Sequence, residues 1–231
     1  MIGINKDEYM RILRLCCAVV LLAGTTIQGH TKPLNDSVQY PISAPLSQLI
    51  TGNFVKIIAL SNEGMISKIT TTQTRKGQVK VDNKTAFTVV NDNVMTLNSK
   101  PLTSATLTRY YSLDPLTSHG SPDQEALDID ITFSALPTTA AIGDSGEFAK
   151  SVMPTEYDND LTQTAIQTWS LKQATDNTAW LCLHTTLTEP SSPEDVAADE
   201  CYQVTRSGAI VDMKITVPPP IQVQLATINF S

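Results

Sequence analysis

Two cysteines near the C-terminal end are the residues best suited by type and spacing to do chemistry. Cys182 and Cys201 bracket His184 and a cluster of acids in the segment WLCLHTTLTEPSSPEDVAADECYQV. A structural zinc site needs four cysteine or histidine ligands at short spacings, and only one histidine is near. The two-residue separation of a redox-active cysteine pair is also missing. The pattern therefore predicts a disulfide between Cys182 and Cys201 and no metal site.

The acidic residues of this segment predict a solvated loop rather than a ligand set. They lie among prolines and serines, in a connection of about 18 residues between two expected strands. His184 alternates with Cys182 and is expected on the same strand face. Cys201 is expected to begin the next strand, so that the disulfide closes the mouth of the loop. The acids are Glu189, Glu194, Asp195, Asp199 and Glu200.

A second candidate for chemistry is the segment IGDSGEF around Ser145. Its Gly-Asp-Ser-Gly at 143–146 resembles the nucleophile segment of chymotrypsin-like proteases, where the serine works with a histidine base and an aspartate. That family carries its histidine well upstream beside a cysteine, whereas His119 lies in LTSHGSPD and position 147 is Glu. Glycine, aspartate and serine are also ordinary loop residues. We therefore expect no catalytic residue and keep a hydrolase using the Ser145 loop as an alternative.

Two further carboxylate groups are expected to be solvated. The segment EYDNDLTQ offers oxygen ligands that suit calcium, but the glycine at the sixth position of a helix–loop–helix calcium site is missing. Asp128 and Asp130 share one face of a predicted strand and resemble paired catalytic carboxylates only in their spacing. Outward-facing acids on an amphipathic strand are the simpler interpretation. The acidic loop consists of Glu156, Asp158, Asn159 and Asp160.

Four aromatic residues are the candidate ligand contacts. Aromatic rings that lie together can form a platform for a sugar, which would give the protein a glycan partner. Packing in the core with one exposed ring is the alternative. The four residues are Trp169, Trp180, Tyr110 and Tyr111.

The first 29 residues have the plan of a secretory signal peptide. Arg11 and Arg14 precede an apolar run of about ten residues, and small or polar residues follow it. The run is shorter than the roughly 20 residues that cross a bilayer, so we expect no integral membrane span in the mature chain. Cleavage is expected between Gly29 and His30, which leaves residues 30–231 as a single β domain. Met10 is an alternative start.

Removal of this leader changes both the cysteine count and the charge. A lipoprotein cysteine follows its apolar run, whereas Cys16 and Cys17 lie at the start of this one, so we expect no lipidation. Both cysteines lie in the leader and are removed with it. An exported chain that keeps only two cysteines most simply forms one disulfide. The mature chain has 13 basic and 21 acidic residues, a formal net charge of −8. An acidic chain without a basic stripe is not expected to bind nucleic acid or anionic membranes. We expect no cofactor and a periplasmic or secreted location.

Alternation of apolar and polar residues dominates the chain and predicts strands. The hairpin turns are expected at ATDNT and RSG, and further breaks at SNEG, at RKG and at the DN of TVVNDNV. Only APLSQLIT is expected to give one or two helical turns, and LPTTAAIGDSGEFAKSVMPTEYDNDLTQ is expected to hold mostly loops. The fold class is therefore all-β: an antiparallel β-sandwich or barrel-like sheet of about ten strands with one disulfide.

Two resemblances bear on function. The terminal IQVQLATINF resembles the last strand of chaperone-assembled pilins, which implies an assembly or adhesion subunit that exchanges its C-terminal strand. The segments LPTTAAIGDSGEF, TAIQTWSLKQ and ECYQVTRSGAI are similar to those of small exported bacterial all-β proteins of uncharacterised function. Our leading hypothesis is an exported non-catalytic β domain with a binding or structural role and a protein or glycan partner whose identity is unknown.

Overall fold

The computed structural model describes residues 38–62, 64–122, 129–154, 162–189 and 192–231. Within these ranges the chain forms fourteen β-strands and one short helix, and all the strand pairings are antiparallel. The predicted all-β antiparallel class is confirmed. The helix is α1 (Ser43–Thr51). The strands are β1 (Gln39–Pro41), β2 (Phe54–Asn62), β3 (Met65–Val81), β4 (Lys84–Leu97), β5 (Lys100–Leu113), β6 (Leu116–Ser118), β7 (Asp130–Phe133), β8 (Thr139–Ala141), β9 (Ser145–Pro154), β10 (Thr162–Gln173), β11 (Thr178–Glu189), β12 (Ser192–Thr205), β13 (Ile210–Thr216) and β14 (Gln222–Phe230).

The strands form two six-stranded sheets and one short ribbon. The first sheet has the order β13-β12-β11-β10-β9-β7 and carries the two cysteines, so we call it the cysteine sheet. The second sheet, β14-β2-β3-β4-β5-β6, is a meander that takes in the last strand at one edge. Strands β1 and β8 form the ribbon. The sheets curl into a half-barrel, which agrees with the barrel-like form of the prediction.

Strand alternation fills the core from both six-stranded sheets. In β11, Leu181 and Leu183 are buried among core residues, while Cys182 and His184 lie on the opposite face of the strand. The two sheets meet through apolar side chains that belong to a single cluster. Its members include Ile58, Leu60, Ile69, Met95, Phe148, Trp169, Leu171, Leu181, Leu183, Tyr202 and Met213.

Tight two-residue turns join three long strands of the meander sheet, β3, β4 and β5. Asp82–Asn83 and Asn98–Ser99 each have positive φ at both residues, the conformation of two-residue hairpin turns, which asparagine and aspartate adopt readily. The turn predicted at the DN of TVVNDNV is wrong, because β4 continues through it. There Asp92 accepts a hydrogen bond from the Thr106 hydroxyl, so its polar side chain supports the sheet instead of bending its own backbone.

Two further breaks predicted from sequence are wrong for related reasons. The RKG segment does not end a strand; it is a bulge in β3, where the pairing with β4 shifts between Arg75 and Gln78. The region expected to hold mostly loops contains β8 and β9. By contrast, the turns at ATDNT and RSG fall between strands as predicted, and β2 ends at Asn62, within SNEG, before β3 begins at Met65.

The predicted helical turns near the start of the described chain are confirmed as α1. Pro45 lies in its first turn, where a missing N–H costs nothing, and Leu46 and Leu49 are buried on one face. The carbonyls at the helix end receive their donors from the meander sheet. The amide Nε2 of Gln73 donates to the oxygens of Leu49 at 3.1 Å and Gly52 at 2.8 Å.

Candidate functional site

The predicted disulfide is confirmed, and it joins residues that face each other on neighbouring strands. Cys182 in β11 pairs directly with Cys201 in β12, with their Cα atoms 3.9 Å apart. Both residues are almost fully buried, at 1% and 3% exposure. The disulfide therefore links two strands that the sheet already holds together, in a place that solvent hardly reaches.

The acidic segment between the cysteines is not the long loop that the sequence predicts. Strand β11 continues to Glu189 and β12 begins at Ser192, so Cys201 lies in the middle of a strand rather than at its start. Glu194, Asp195, Asp199 and Glu200 all belong to β12. The physical reason is the partner strand. Asp199 pairs with His184 and Glu200 with Leu183, and this pairing overrides the weak intrinsic preference of acidic residues for strands.

His184 is paired with one of these acids. As predicted, it lies on the face of Cys182, and its Nδ1 is 3.0 Å from Oδ1 of Asp199 on the neighbouring strand. The hydroxyl of Thr168 donates to the carbonyl oxygen of His184 at 3.3 Å. Both members of the pair are about three-quarters covered, with side-chain exposures of 22% and 27%. The histidine thus has a structural partner beside the disulfide.

A second acid of β12 joins the two sheets. Nζ of Lys56, in β2, lies 2.9 Å from Oε1 and 3.2 Å from Oε2 of Glu200, and each side chain is only 12% exposed. The hydroxyl of Tyr202 also donates to Glu200. Burial raises the pKa of Tyr202 well above its ordinary value, and the Glu200 charge and hydrogen bond raise it further. This network was missed from sequence, because no local pattern pairs residues 144 positions apart.

The Gly-Asp-Ser-Gly segment is accounted for by the local fold. Gly143 has a φ of +100°, which a turn tolerates best with glycine. Asp144 accepts the backbone N–H of Ala141 through Oδ2 at 2.8 Å. Gly146 lies directly opposite Trp169, and a Cβ there would stand 2.9 Å from the indole Nε1.

The register keeps the two described histidines away from Ser145. Ser145 pairs with Ser170 on β10, and Ser170 pairs with Cys182 on β11. His184 therefore lies two strands away from Ser145 and two residues further along β11. With ordinary sheet spacings this separates the Cα atoms by about 12 Å. His119 lies in the other sheet region, where its Nε2 is 3.1 Å from Oγ of Ser112.

The four candidate aromatic contacts do not lie together. Trp169 and Tyr111 are buried at 4% and 5% exposure, and each packs toward the core. Trp180 is half-buried in the cysteine sheet, with Nζ of Lys214 4.1 Å from its ring centroid. Tyr110 is half-buried on β5 of the meander sheet. Only Trp180 and Tyr110 therefore present ring surface to solvent, and they do so from different sheets.

Several predictions fall outside the described residues. These include the leader at 1–29 and the acidic loop around Asp158, as well as Asp128. Asp130 begins β7 and is exposed, as an outward-facing acid should be. Within the described ranges no group of three or more histidine, cysteine or acidic side chains is arranged to hold a metal ion. None of the described helical residues forms a helix long and apolar enough to cross a membrane.

Comparison with known proteins yields no relative. No protein-family model, no curated protein and no solved structure matches this chain.

Proposed function

We propose that this protein is an exported β domain, periplasmic or secreted, that acts through binding or as a structural part rather than by catalysis. The observation that carries the proposal is the buried Cys182–Cys201 disulfide. Disulfides persist in oxidising compartments and are rare where thiols are kept reduced. A buried disulfide is also a poor reagent, because exchange requires a thiolate to reach one of its sulfur atoms.

The structural use of the reactive side chains supports the non-catalytic part of the proposal. Among the described residues, His184 is bound to Asp199, His119 contacts Ser112, and Glu200 is held by Lys56. Groups that serve as general acids or bases need a free position at which to meet a substrate. Glu200 is thereby held inside the fold. The contact of His184 leaves its second ring nitrogen outside the pair, but the register keeps this residue about 12 Å from Ser145 between Cα atoms.

Export is tested by expressing the full chain in a secreting bacterial host. We expect the protein outside the cytoplasm, with an N-terminus at His30. The matched control is Leu21→Arg, which places a charge in the apolar run of the leader and leaves the β domain unchanged. This variant should stay in the cytoplasm with its leader intact. Equal distribution of the two proteins, or an unprocessed wild type, would contradict export.

The non-catalytic role is tested by a hydrolase screen on the purified mature protein. The substrates in the screen are esters, peptides and glycosides. We expect no turnover that distinguishes wild type from Ser145→Ala. A hydrolysis rate that disappears in Ser145→Ala, while the fold is kept, would replace this proposal with the hydrolase alternative.

A second candidate function is a pilin-like assembly or adhesion subunit that exchanges β14. One observation favours it: β14 is an edge strand of its sheet and pairs with β2. Phe230 contacts Phe54 of β2 edge-on, with ring centroids 5.7 Å apart. This aromatic contact holds the end of β14 against β2. A chain without residues 221–231 should then bind a synthetic peptide of that sequence, and a Phe230→Ala peptide should bind more weakly. Unchanged fold and oligomeric state after the deletion would rule out this candidate.

A further inference from the structure

The outer face of the meander sheet contains a regular block of twelve residues, three on each of four neighbouring strands. Ile58, Leu60, Ile69 and Met95 belong to the core, so the residues that alternate with them on β2, β3 and β4 point outward. We call the block the outer patch. Its three aligned rows are Asn229, Val55, Thr72 and Asp92; Thr227, Ile57, Thr70 and Val94; and Leu225, Ala59, Lys68 and Thr96.

The outer patch is almost free of charge and exposes aliphatic side chains. Lys68 and Asp92 are its only charged residues, and both are exposed. Val94 is 45% exposed and Leu225 is 44% exposed. Exposed apolar surface with few charges is typical of the centre of a protein interface. The outer face of the cysteine sheet carries more charges, among them Glu147, Lys172, Asp199 and Lys214.

The two charges of the outer patch lie symmetrically about one point. Thr70 pairs directly with Val94. Lys68 lies one outward position beyond Thr70 in one direction, and Asp92 lies one outward position beyond Val94 in the opposite direction. The Thr70–Val94 pair and the Lys68–Asp92 pair therefore share a midpoint. Ordinary sheet spacings put the Cα atoms of Lys68 and Asp92 about 14 Å apart, which is too far for an ion pair within one copy.

This symmetry allows two stacked patches to match each other. Consider a two-fold axis that lies between the stacked faces, passes through the shared midpoint and is perpendicular to the line from Lys68 to Asp92. The axis places Lys68 of each copy over Asp92 of the other, and it brings Thr70 and Val94 each beside its own counterpart. The strands of the two copies then cross at about 40°, near the roughly 30° at which aligned sheets pack.

We propose that the outer patch binds the outer patch of a second copy, in a two-fold dimer in which Lys68 of each copy pairs with Asp92 of the other. In this arrangement Val55 and Ile57 of one copy lie over the same two residues of the other, so aliphatic surface meets aliphatic surface. A two-fold dimer requires a patch that is complementary to itself in this way, whereas binding to an unlike protein does not. The self-complementarity therefore selects a second copy as the partner. The inference goes beyond the proposed function, because it concerns the meander sheet and not export.

The carboxylate of Asp92 is already oriented on the outer patch. It accepts a hydrogen bond from the hydroxyl of Thr106 on the next strand at 2.6 Å. An ionised carboxylate has about four acceptor positions, so this bond leaves room for the ammonium group of Lys68 from the second copy. The bond within the copy thus limits the freedom of the acid that the second copy must meet.

The size of the outer patch predicts a weak dimer. With strands about 4.8 Å apart and outward residues about 6.8 Å apart along a strand, each position covers about 33 Å² of the sheet plane. Twelve positions cover about 400 Å² in each copy, and the accessible surface of the side chains is larger, so the dimer buries on the order of 1,000 Å² in total. This is the lower end for specific interfaces. We expect a micromolar dissociation constant at physiological salt, where repulsion between the two acidic copies is screened.

The first test measures the mass of the mature protein, with its disulfide intact, at several concentrations. Analytical ultracentrifugation between about 1 and 300 µM covers the expected range. We expect monomers at the lowest concentrations and dimers at the highest. Monomers throughout would overturn the proposal. Assemblies that grow beyond a dimer would also overturn it, because a two-fold contact closes after two copies.

Two matched variants locate the interface on the protein. Val94→Arg places a charge at the centre of the outer patch, and Ile166→Arg places one on the outer face of the cysteine sheet. Ile166 is 41% exposed, close to the 45% of Val94, and both residues lie inside strands. Val94→Arg should raise the dissociation constant about tenfold or more, and Ile166→Arg should leave it within about twofold. Circular dichroism checks that both are folded, and equal effects of the two variants would overturn the proposal.

Charge reversal tests the pairing of Lys68 with Asp92. In Lys68→Asp each contact joins two acids, and in Asp92→Lys each contact joins two lysines, so each variant alone should dimerise about tenfold or more weakly than wild type. A mixed dimer of the two variants again joins opposite charges at both contacts. An equal mixture should therefore dimerise within about threefold of wild type, which also shows that both variants are folded. A mixture that dimerises no better than its components, or single variants that dimerise like wild type, would overturn the proposal.

Discussion

The substitution Gly146→Ala tests the account of the Gly-Asp-Ser-Gly segment most sharply. Gly146 and Trp169 face each other on β9 and β10. An added Cβ would lie 2.9 Å from Nε1, 3.2 Å from Cε2 and 3.3 Å from Cζ2 of the indole. Relief requires a shift of about 0.5 Å to reach ordinary van der Waals contact. The indole is 4% exposed and belongs to the core cluster, so such a shift disturbs its neighbours.

The expected cost follows from two opposing contributions. Overpacking a core contact of this kind costs about 1–3 kcal/mol. Replacing glycine by alanine also restricts the unfolded chain, which returns about 0.4–1 kcal/mol. We therefore expect Gly146→Ala to lower the free energy of unfolding by about 1–2 kcal/mol. Urea unfolding, followed by far-UV circular dichroism with the disulfide intact, measures it.

Two controls separate the indole contact from a general effect of glycine replacement. At Gly77, in the β3 bulge, an added Cβ meets nothing within 4 Å, so Gly77→Ala should be neutral or slightly stabilising. In a Trp169→Phe background the ring atoms nearest the Cβ are gone, and Gly146→Ala should cost about 1 kcal/mol less. If Gly146→Ala is as mild as Gly77→Ala, the structural explanation of the segment fails.

Three further predictions concern the disulfide and the contact between the sheets. Replacing Cys182 and Cys201 together by alanine should cost about 3 kcal/mol of stability, because the closed loop spans 19 positions. The change should lower Tm by about 6–12 °C in a thermal melt. An unchanged Tm would show that the disulfide does not stabilise the fold. Since the folded pKa of Tyr202 lies above its ordinary value of 10.0, stability should be full below about pH 10 and decline above it. Urea midpoints at about pH 8 and 11 should fall less for Tyr202→Phe than for wild type, and parallel losses would contradict this. In a double-mutant cycle, Lys56→Met should cost about 1–2 kcal/mol more when Glu200 is present than after Glu200→Gln, and a coupling near zero would show that the ion pair does not join the sheets.

Local patterns were sufficient to predict much of the fold. Alternation identified the strands, and glycine, asparagine and aspartate identified the turns between β10 and β11 and between β12 and β13. The single pair of cysteines in the expected mature chain predicted the disulfide that the structure contains. The strands and turns depend on residues that are close in sequence. The disulfide depends on a count of cysteines that leaves one possible pair.

Other features depend on contacts that no local pattern reveals. The acids of β12 lie among prolines and serines, which predicts a loop, but the pairing of Asp199 and Glu200 with β11 outweighs that local preference. Asp92 is of a typical turn type, but in the fold it lies within β4 and accepts a hydrogen bond from Thr106. The Lys56–Glu200 contact follows from topology, which the sequence does not encode at short range.

The state of the thiols in protein from the cell envelope or medium of its native host tests the central claim most directly. Alkylation under denaturing, non-reducing conditions, followed by intact-mass spectrometry, counts free thiols and reports the N-terminus together. We predict a chain that begins at His30 and accepts no alkyl group before reduction and two after it. A chain that retains its leader, or that takes up two alkyl groups without reduction, would contradict the account.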